Sequence, residues 1–178
     1  MGTFPKIAES VTLEHQIAEL MAEQKRIGWP FDVRKAQELE NQLLTELEKL
    51  KKQAENICHF VPHNLFTPKR DNKKQGYFAG CEMQRLKEFN PSSREHIAWW
   101  FTTFQGWKPT KLTPTGKAVI DETVLKEIGT EEALVFLNIL VIQKKLGMLS
   151  QGTNAWLKLV KDGRLHHSCF IGAVTHRM

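Results

Sequence analysis

The groups in this chain best suited to binding chemistry are the hydroxyl and ammonium groups gathered beside a glycine turn at residues 107–117. Lys111, Thr113 and Thr115 stand there beside Gly116. Ammonium groups and hydroxyls donate hydrogen bonds to phosphate oxygens, and a glycine lets the backbone approach such a group closely. The segment therefore predicts a phosphate contact, although a solvated turn has the same composition.

A second basic feature follows in the last part of the chain. The formal net charge is +5, and from residue 142 onward six basic residues accompany a single acid, Asp162. The other 141 residues balance, with 19 basic and 19 acidic side chains. This asymmetry favours a polyanion-binding face, and the alternative is a solvated basic surface with no partner. The basic residues concerned are Lys144, Lys145, Lys158, Lys161, Arg164 and Arg177.

Other candidate sites are weaker. The four residues between positions 58 and 81 that could bind zinc lack the paired short intervals of known zinc modules. The acidic pairs at residues 121–122 and 131–132 are explained as helix-start acids that favour the helix dipole. His166, His167 and Cys169 are the best candidates for an independent hydrolase or metalloenzyme, and no other residue supports them. The possible zinc ligands are Cys58, His59, His63 and Cys81.

Two long helices are predicted before residue 58. Ser10 or Thr12 is the expected cap of the first helix, and Gly28 is its stop. Asp32 is the expected cap of the second helix, whose apolar residues recur at alternating intervals of three and four. The stripe favours intramolecular packing of an antiparallel pair, and a dimerising coiled coil is the alternative.

Residues 58–88 lose this periodicity and are predicted to form a loop or tip. Their basic run at residues 69–74 either touches nucleic acid or is solvated. Ser92 and Glu95 have capping-box spacing ahead of an aromatic helix that ends near Gly106, and its Trp and Phe residues are expected in the core rather than as stacking platforms.

The remaining elements are short. Asp121 should cap a helix that ends at Gly129, and Thr130 should open another that runs into Lys144 and Lys145. A turn at residues 162–163 then starts an extended segment that continues to Met178. An extended segment needs a neighbour for its backbone hydrogen bonds, so we expect the chain to be the front part of something larger.

Composition favours a cytoplasmic protein that does not contact a membrane. No apolar run approaches the roughly 20 residues that cross a bilayer, and residues 1–10 lack the features of a secretory signal. Three widely spaced cysteines, Cys58, Cys81 and Cys169, fit reduced thiols better than disulfides.

Five motifs in order carry a resemblance. They are Phe-Asn-Pro-Ser-Ser at 89–93, Gly-Trp-Lys-Pro-Thr-Lys-Leu-Thr-Pro-Thr-Gly-Lys at 106–117, Gln-Lys-Lys-Leu-Gly-Met-Leu at 143–149, Gly-Arg-Leu-His at 163–166 and Gly-Ala-Val-Thr-His-Arg at 172–177. Together they resemble the family A DNA polymerases, most closely the replicative polymerases of podovirus-like tailed bacteriophages. Residues 13–32 are similar to the segment that follows the exonuclease domain there, and only the loop at 58–88 lies outside the resemblance.

The resemblance implies a thumb and the first part of a palm. The helical pair resembles the thumb helices along the primer-template duplex, and residues 111–116 resemble a strand and turn on the duplex backbone. Thr175 and Arg177 match a Thr-Gly-Arg motif whose arginine reads minor-groove acceptors beside the primer end. The implied DNA-binding residues are Lys111, Thr113, Thr115, Lys144, Lys145, Thr175 and Arg177.

Two departures limit what carries over. His176 stands where the commoner motif has glycine, so a bulky ring replaces a residue that takes positive φ without cost. The loop at 58–88 is also shorter than the thumb insertion with which one phage polymerase recruits thioredoxin. Thioredoxin binding therefore does not carry over, and the processivity partner stays open.

The expected fold is mostly helical α+β, with a long antiparallel helical pair, a smaller helical cluster and an incomplete palm sheet. Residues 1–88 are expected to form the thumb pair with its tip, and residues 89–178 the rest of the thumb and part of the palm. The catalytic carboxylates that bind Mg²⁺ in the family follow the stretch present here. We therefore expect this chain to bind no cofactor and to be inactive without the remainder of the polymerase.

Two functions compete on this basis. The first is a polymerase fragment that grips primer-template DNA during replication, with the palm and fingers as its partners. The second is a non-enzymatic helical module that derives from a polymerase thumb and binds a protein.

Overall fold

The computed structural model describes the backbone of residues 4–166 and the side chains of residues 9–166. Its elements are, in chain order, α1 (Phe4–Ile27), β1 (Trp29–Pro30), α2 (Val33–Ile57), β2 (Phe60–Phe66), β3 (Met83–Glu88), α3 (Arg94–Phe104), α4 (Glu122–Ile128), α5 (Glu131–Leu146), a π-helical turn (Gly147–Gln151), α6 (Trp156–Leu159), β4 (Val160–Lys161) and β5 (Arg164–Leu165). The mostly helical α+β class is confirmed. The chain divides into two compact units, residues 1–42 with 145–178, and residues 43–144.

The predicted division at residue 88 concerns subdomains of a polymerase, and it stays a prediction.

The first unit contains a small antiparallel sheet with the strand order β1-β5-β4. Trp29 pairs with Leu165, and Val160 pairs with Leu165 from the other side. Asp162 and Gly163 connect β4 to β5 with positive φ angles of 50° and 70°, the conformation of a two-residue hairpin turn. The predicted turn is therefore confirmed, and the extended segment predicted beyond it lies mostly outside the described residues.

Helix α1 begins earlier than expected. It starts at Phe4, so Ser10 and Thr12 lie inside the helix and neither is its cap. The apolar residues predicted to pack are largely exposed, with 56% of Leu13 and 61% of Leu20 accessible to solvent. Helix α2 begins as predicted, because an Asp32 carboxylate oxygen accepts the Lys35 amide at 3.0 Å.

The second unit is built around helix α5. Phe136 and Ile139 are fully buried on it, and Ile97, Phe101 and Leu125 are fully buried on α3 and α4. The Phe136 ring lies 5.9 Å from the rings of both Trp100 and Phe101. Trp100 and Phe101 of α3 are thus core residues, as predicted, whereas Trp99 is half-buried and Phe104 is 63% exposed.

Residues 58–88 form a hairpin rather than an irregular loop. Strands β2 and β3 pair antiparallel from Phe60 opposite Glu88 to Phe66 opposite Met83, with an irregularity between Pro62 and Leu65. The prediction was wrong because a strand is recognised in a sequence by alternating apolar and polar residues, and exposed strands do not need that alternation. Val61 is the buried residue of β2, and most others on the two strands are exposed.

The capping box predicted at α3 is also corrected. The N-cap residue is Ser93, and its side chain makes no capping hydrogen bond. Ser92 instead accepts a hydrogen bond from the Gln143 side-chain amide, and Glu95 pairs with Lys117. Both side chains therefore contact residues distant in the chain and do not form the predicted local cap.

Helix α5 and the residues after it form a segment, Glu131–Leu159, that is long and apolar enough to cross a membrane by length and composition alone. The sequence prediction that no run approaches this length is therefore corrected. The same segment carries Phe136, Ile139 and Leu146, all fully buried. We interpret it as a core helix, because core helices pass the same compositional test.

The Asp121 cap of α4 is predicted to stabilise the fold measurably. Its carboxylate accepts the Val124 amide at 2.8 Å, so Asp121→Ala should lower the free energy of unfolding by about 1 kcal/mol in urea denaturation. Ser93→Ala is the matched control, since the Ser93 side chain makes no capping bond. Equal losses in the two variants would contradict this assignment.

His96 gives a pH-dependent prediction. Its Nδ1 accepts the Asn90 amide at 2.9 Å, which requires a neutral ring, and burial together with the charge of Lys87 lowers its pKa. A histidine whose pKa is lowered on folding stabilises the protein above its ordinary pKa of about 6.5, and this contribution is lost as the pH falls through that value. His63 and Glu95 are the other ionisable groups that act on the ring.

The measurement is urea denaturation of wild type and His96→Asn between about pH 7.5 and about pH 5.5. The asparagine oxygen can accept the same amide without titrating, so the variant should lose less stability than wild type across this range. If the free energies of unfolding of the two proteins fall equally with pH, His96 does not cause the loss of stability.

Candidate nucleic-acid interface

The predicted phosphate-binding segment folds into a tight hairpin-like turn. The Thr113 amide donates to the Lys117 carbonyl at 2.8 Å, and the Gly116 amide donates to the Thr113 carbonyl at 2.8 Å. Leu112 forms an isolated antiparallel bridge with Ala118. Gly116 has a φ of 77°, which a side chain would oppose. The predicted strand is thus reduced to a single bridge around a defined turn.

The two threonines of this turn differ in availability. Their hydroxyl oxygens lie 2.9 Å apart, and the half-buried Thr113 hydroxyl also accepts the Lys117 amide. Lys111 and Thr115 are exposed. The turn therefore presents an ammonium group and the Thr115 hydroxyl to solvent, while Thr113 mainly shapes it.

An ion pair joins the turn to the start of α3. The Lys117 ammonium group contacts the Glu95 carboxylate, and this hydrogen bond is the main reason why the pKa of Glu95 lies below its ordinary value. Both side chains are well exposed, so solvent screens the pair and it contributes little to stability. The ion pair matters because it holds the turn beside the start of α3.

A cleft of about 700 Å³ lies at the same end of α3. Its wall is made by the start of α3, the start of α4 and the end of α5. Arg94 is exposed at its rim, and the Lys144 ammonium group lies 3.4 Å from the Glu122 carboxylate. The lining residues are Ser92, Arg94, Asp121, Glu122, Thr123, Leu140, Gln143 and Lys144.

Within residues 43–144 the start of α3 thus lies at a cleft with Arg94 and Lys144, and Glu95 joins it to the turn through Lys117. Arg94 makes no ion pair within the described part of the chain, and its guanidinium group suits bidentate phosphate contacts. Sequence reasoning missed Arg94, because it noticed Ser92 and Glu95 only as a cap. Lys145 is exposed as well, but it belongs to the other unit.

The basic excess after residue 142 has partly a structural purpose. Lys158 donates to the carbonyls of Gln151 and Gly152, at 3.3 and 2.9 Å, at the end of the π-helical turn. Arg164 donates to the Gly28 carbonyl at 2.9 Å, just past the end of α1. Cations near the C-terminal end of a helix are favoured by the helix dipole. The exposed cations of this stretch that lack a partner among residues 9–166 are Lys145 and Lys161.

The contacts at the end of α1 also require a glycine at position 28. It has a φ of 71°, and a Cβ placed there would lie 2.9 Å from the His166 ring. His166 in turn has its Nδ1 2.8 Å from the Lys25 carbonyl oxygen. Glycine is therefore required here by both backbone conformation and space.

Thr175 and Arg177 lie outside the described residues, so their predicted roles stay predictions.

The residues described here do not fit the Mg²⁺ chemistry of a polymerase. Among residues 9–166 no group of three or more His, Cys, Asp or Glu side chains is placed to hold a metal ion. Asp121 and Glu122 are side by side at the cleft, but Asp121 caps α4 and Glu122 pairs with Lys144. We therefore derive no catalytic step from these carboxylates.

No family model matches the chain. Comparison with characterised proteins finds two relatives. The DNA-directed DNA polymerase of Enterobacteria phage T3 is 32% identical over 219 aligned residues, which cover 95% of this chain and 31% of that polymerase. The DNA-directed DNA polymerase of Escherichia phage T7 is 31% identical over the same extent.

The aligned stretch is longer than this chain, so each relative has residues without a counterpart here. The chain spans about a third of their length, 31% in both cases. The similarity extends over 95% of the chain. The chain is therefore a homologue of these two phage DNA polymerases over the aligned part, which is consistent with its resemblance to the family A DNA polymerases.

Proposed function

We propose that this chain is the duplex-gripping part of a DNA-directed DNA polymerase and acts in phage DNA replication. The observation that carries the proposal is that Arg94 and Lys144 line one cleft at the start of α3, to which Lys117 joins the turn that exposes Lys111 and Thr115, in a homologue of DNA polymerases. Ammonium, guanidinium and hydroxyl groups at one surface are suited to the sugar-phosphate backbone. Such contacts hold DNA without reading its sequence.

The proposed contact residues are the five predicted ones on the described chain, with Arg94 added. Thr175 and Arg177 are proposed to follow near the primer end, by resemblance alone. The partners are primer-template DNA and the remaining palm and fingers of the polymerase. We propose the cytoplasm of a bacterial host as the location, and thioredoxin binding is not carried over from the resemblance.

Electrostatic binding to duplex DNA should depend on these cations. We expect the triple variant Lys111→Gln, Lys144→Gln, Lys145→Gln to reduce the dependence of log K on log salt by about 3, one unit for each phosphate that is no longer neutralised. Affinity for a primer-template duplex, measured by fluorescence anisotropy over a salt series, checks this. Adding Arg94→Gln should lower the salt dependence by about one further unit.

The matched control removes three cations of residues 1–42, which belong to the other unit. Arg26, Arg34 and Lys35 lie 3.8, 3.8 and 3.7 Å from Glu23, Glu38 and Asp32. Their replacement by glutamine should leave the salt dependence near the wild-type value. If both triple variants behave alike, net charge rather than this surface governs binding, and the proposal fails.

Nucleotide transfer is proposed to need the rest of the polymerase, where the Mg²⁺-binding carboxylates are expected. The relatives are about three times as long as the aligned part, since it covers 31% of each. We expect the purified 178-residue chain to extend no primer in the presence of Mg²⁺ and deoxynucleotides. A complete phage polymerase is the positive control, and extension that copurifies with this chain would contradict the proposal.

The alternative is a protein-binding module derived from the thumb. The exposed apolar residues of α1 favour it, since Leu20 and Ile27 line a groove of about 350 Å³ together with Trp29. Charge reversal at Lys144 and Lys145 should abolish DNA binding and spare such a partner. Lys158 is unsuitable for this test, because it holds the carbonyls that end the π-helical turn.

A further inference from the structure

The hairpin made by β2 and β3 carries an ordered basic tip. At the tip the Asn72 amide donates to the Tyr77 carbonyl at 2.8 Å, and the Tyr77 amide donates back at 2.9 Å. The Gln75 amide also donates to the Asn72 carbonyl, at 3.2 Å. These hydrogen bonds fix the tip without using any of its charged groups.

The single acidic side chain of the tip accepts a hydrogen bond from the backbone. Residues 66–80 contain four cations and one acid, Asp71, so their formal charge is +3. The Asp71 carboxylate accepts the Ala79 amide at 2.7 Å and so is directed into the tip itself. The cations are exposed and make no ion pair within the described chain. They are Lys69, Arg70, Lys73 and Lys74.

Aromatic rings support the base of the tip. The Phe66 and Tyr77 rings meet edge to face at 5.1 Å, and the Arg85 guanidinium lies 4.3 Å from the centre of the Phe66 ring. Phe78 beside them is 64% exposed. These ring contacts lie within the hairpin, and the unpaired cations that it carries are suited to the phosphates of a nucleic acid.

We infer that this tip is a second DNA-binding site, which holds the phosphodiester backbone of the duplex away from the start of α3. The inference rests on the proposed duplex binding. The tip and the start of α3 both belong to the unit of residues 43–144, and we propose that one duplex engages both. Strand β3 has six residues, which span about 20 Å, and a duplex covers this distance in about 6 base pairs.

Affinity for duplexes of two lengths therefore distinguishes binding at one surface from binding at both. The variant Arg70→Gln, Lys73→Gln, Lys74→Gln changes none of the side chains that shape the tip. On a primer-template duplex of about 20 base pairs it should bind at least about tenfold more weakly than wild type and show a smaller salt dependence. On a loop-closed duplex of about 4 base pairs, which extends only about 14 Å, it should bind like wild type, because the short duplex cannot reach both surfaces.

Two controls make the outcomes distinct. The triple variant of Arg26, Arg34 and Lys35 removes equal charge elsewhere and should bind both duplexes like wild type. The triple variant of Lys111, Lys144 and Lys145 should weaken binding to both lengths. Circular dichroism and urea denaturation establish that every variant is folded.

The inference is overturned if the tip variant binds the long duplex like wild type while the triple variant of Lys111, Lys144 and Lys145 binds it more weakly. In that case the proposed function still stands. It is also overturned if the tip variant loses affinity only for substrates with a single-stranded template overhang, which would assign the tip to the template strand. If no variant changes binding, both the inference and the proposed function fail.

Discussion

The arrangement of the second unit depends on the burial of Phe136 on α5. Its ring meets Trp100 and Phe101 of α3, and Phe89 just before α3 lies 5.6 Å from it. Removing a buried phenylalanine of this kind typically costs about 3 to 5 kcal/mol. Because this contact fixes α3 against α5, it also decides that the start of α3 faces Gln143 and Lys144. The polar contacts at the cleft are individually weak and follow from that packing.

The positive charge of the chain divides by what each cation touches. Lys158 and Arg164 satisfy carbonyls at the ends of helical segments, and Lys117 holds a turn through Glu95. Charges used in this way stabilise local structure and contribute little to binding. Lys111 and Arg94 instead lie exposed beside one cleft or turn. A basic isoelectric point alone does not distinguish these roles, whereas the contacts of each side chain do.

The sequence allowed accurate predictions where local chemistry decides the structure. Asp32 and Asp121 cap their helices as expected, Gly129 ends α4 in the left-handed conformation, and the turn at residues 162–163 is present. The hairpin at residues 60–88 was not predicted, because exposed strands lack alternating burial. Arg94 was missed for a related reason. Its position beside Lys144 depends on packing between α3 and α5, which no local pattern reveals.

The proposed grip can be tested most directly by lysine acetylation footprinting, read by mass spectrometry, with and without a primer-template duplex. Lys111, Lys144 and Lys145 should become several-fold less reactive when DNA is bound, while Lys25 and Lys35 on α1 and α2 should keep their reactivity. Equal protection of all these lysines, or protection confined to Lys25 and Lys35, would contradict a duplex-binding surface at the start of α3.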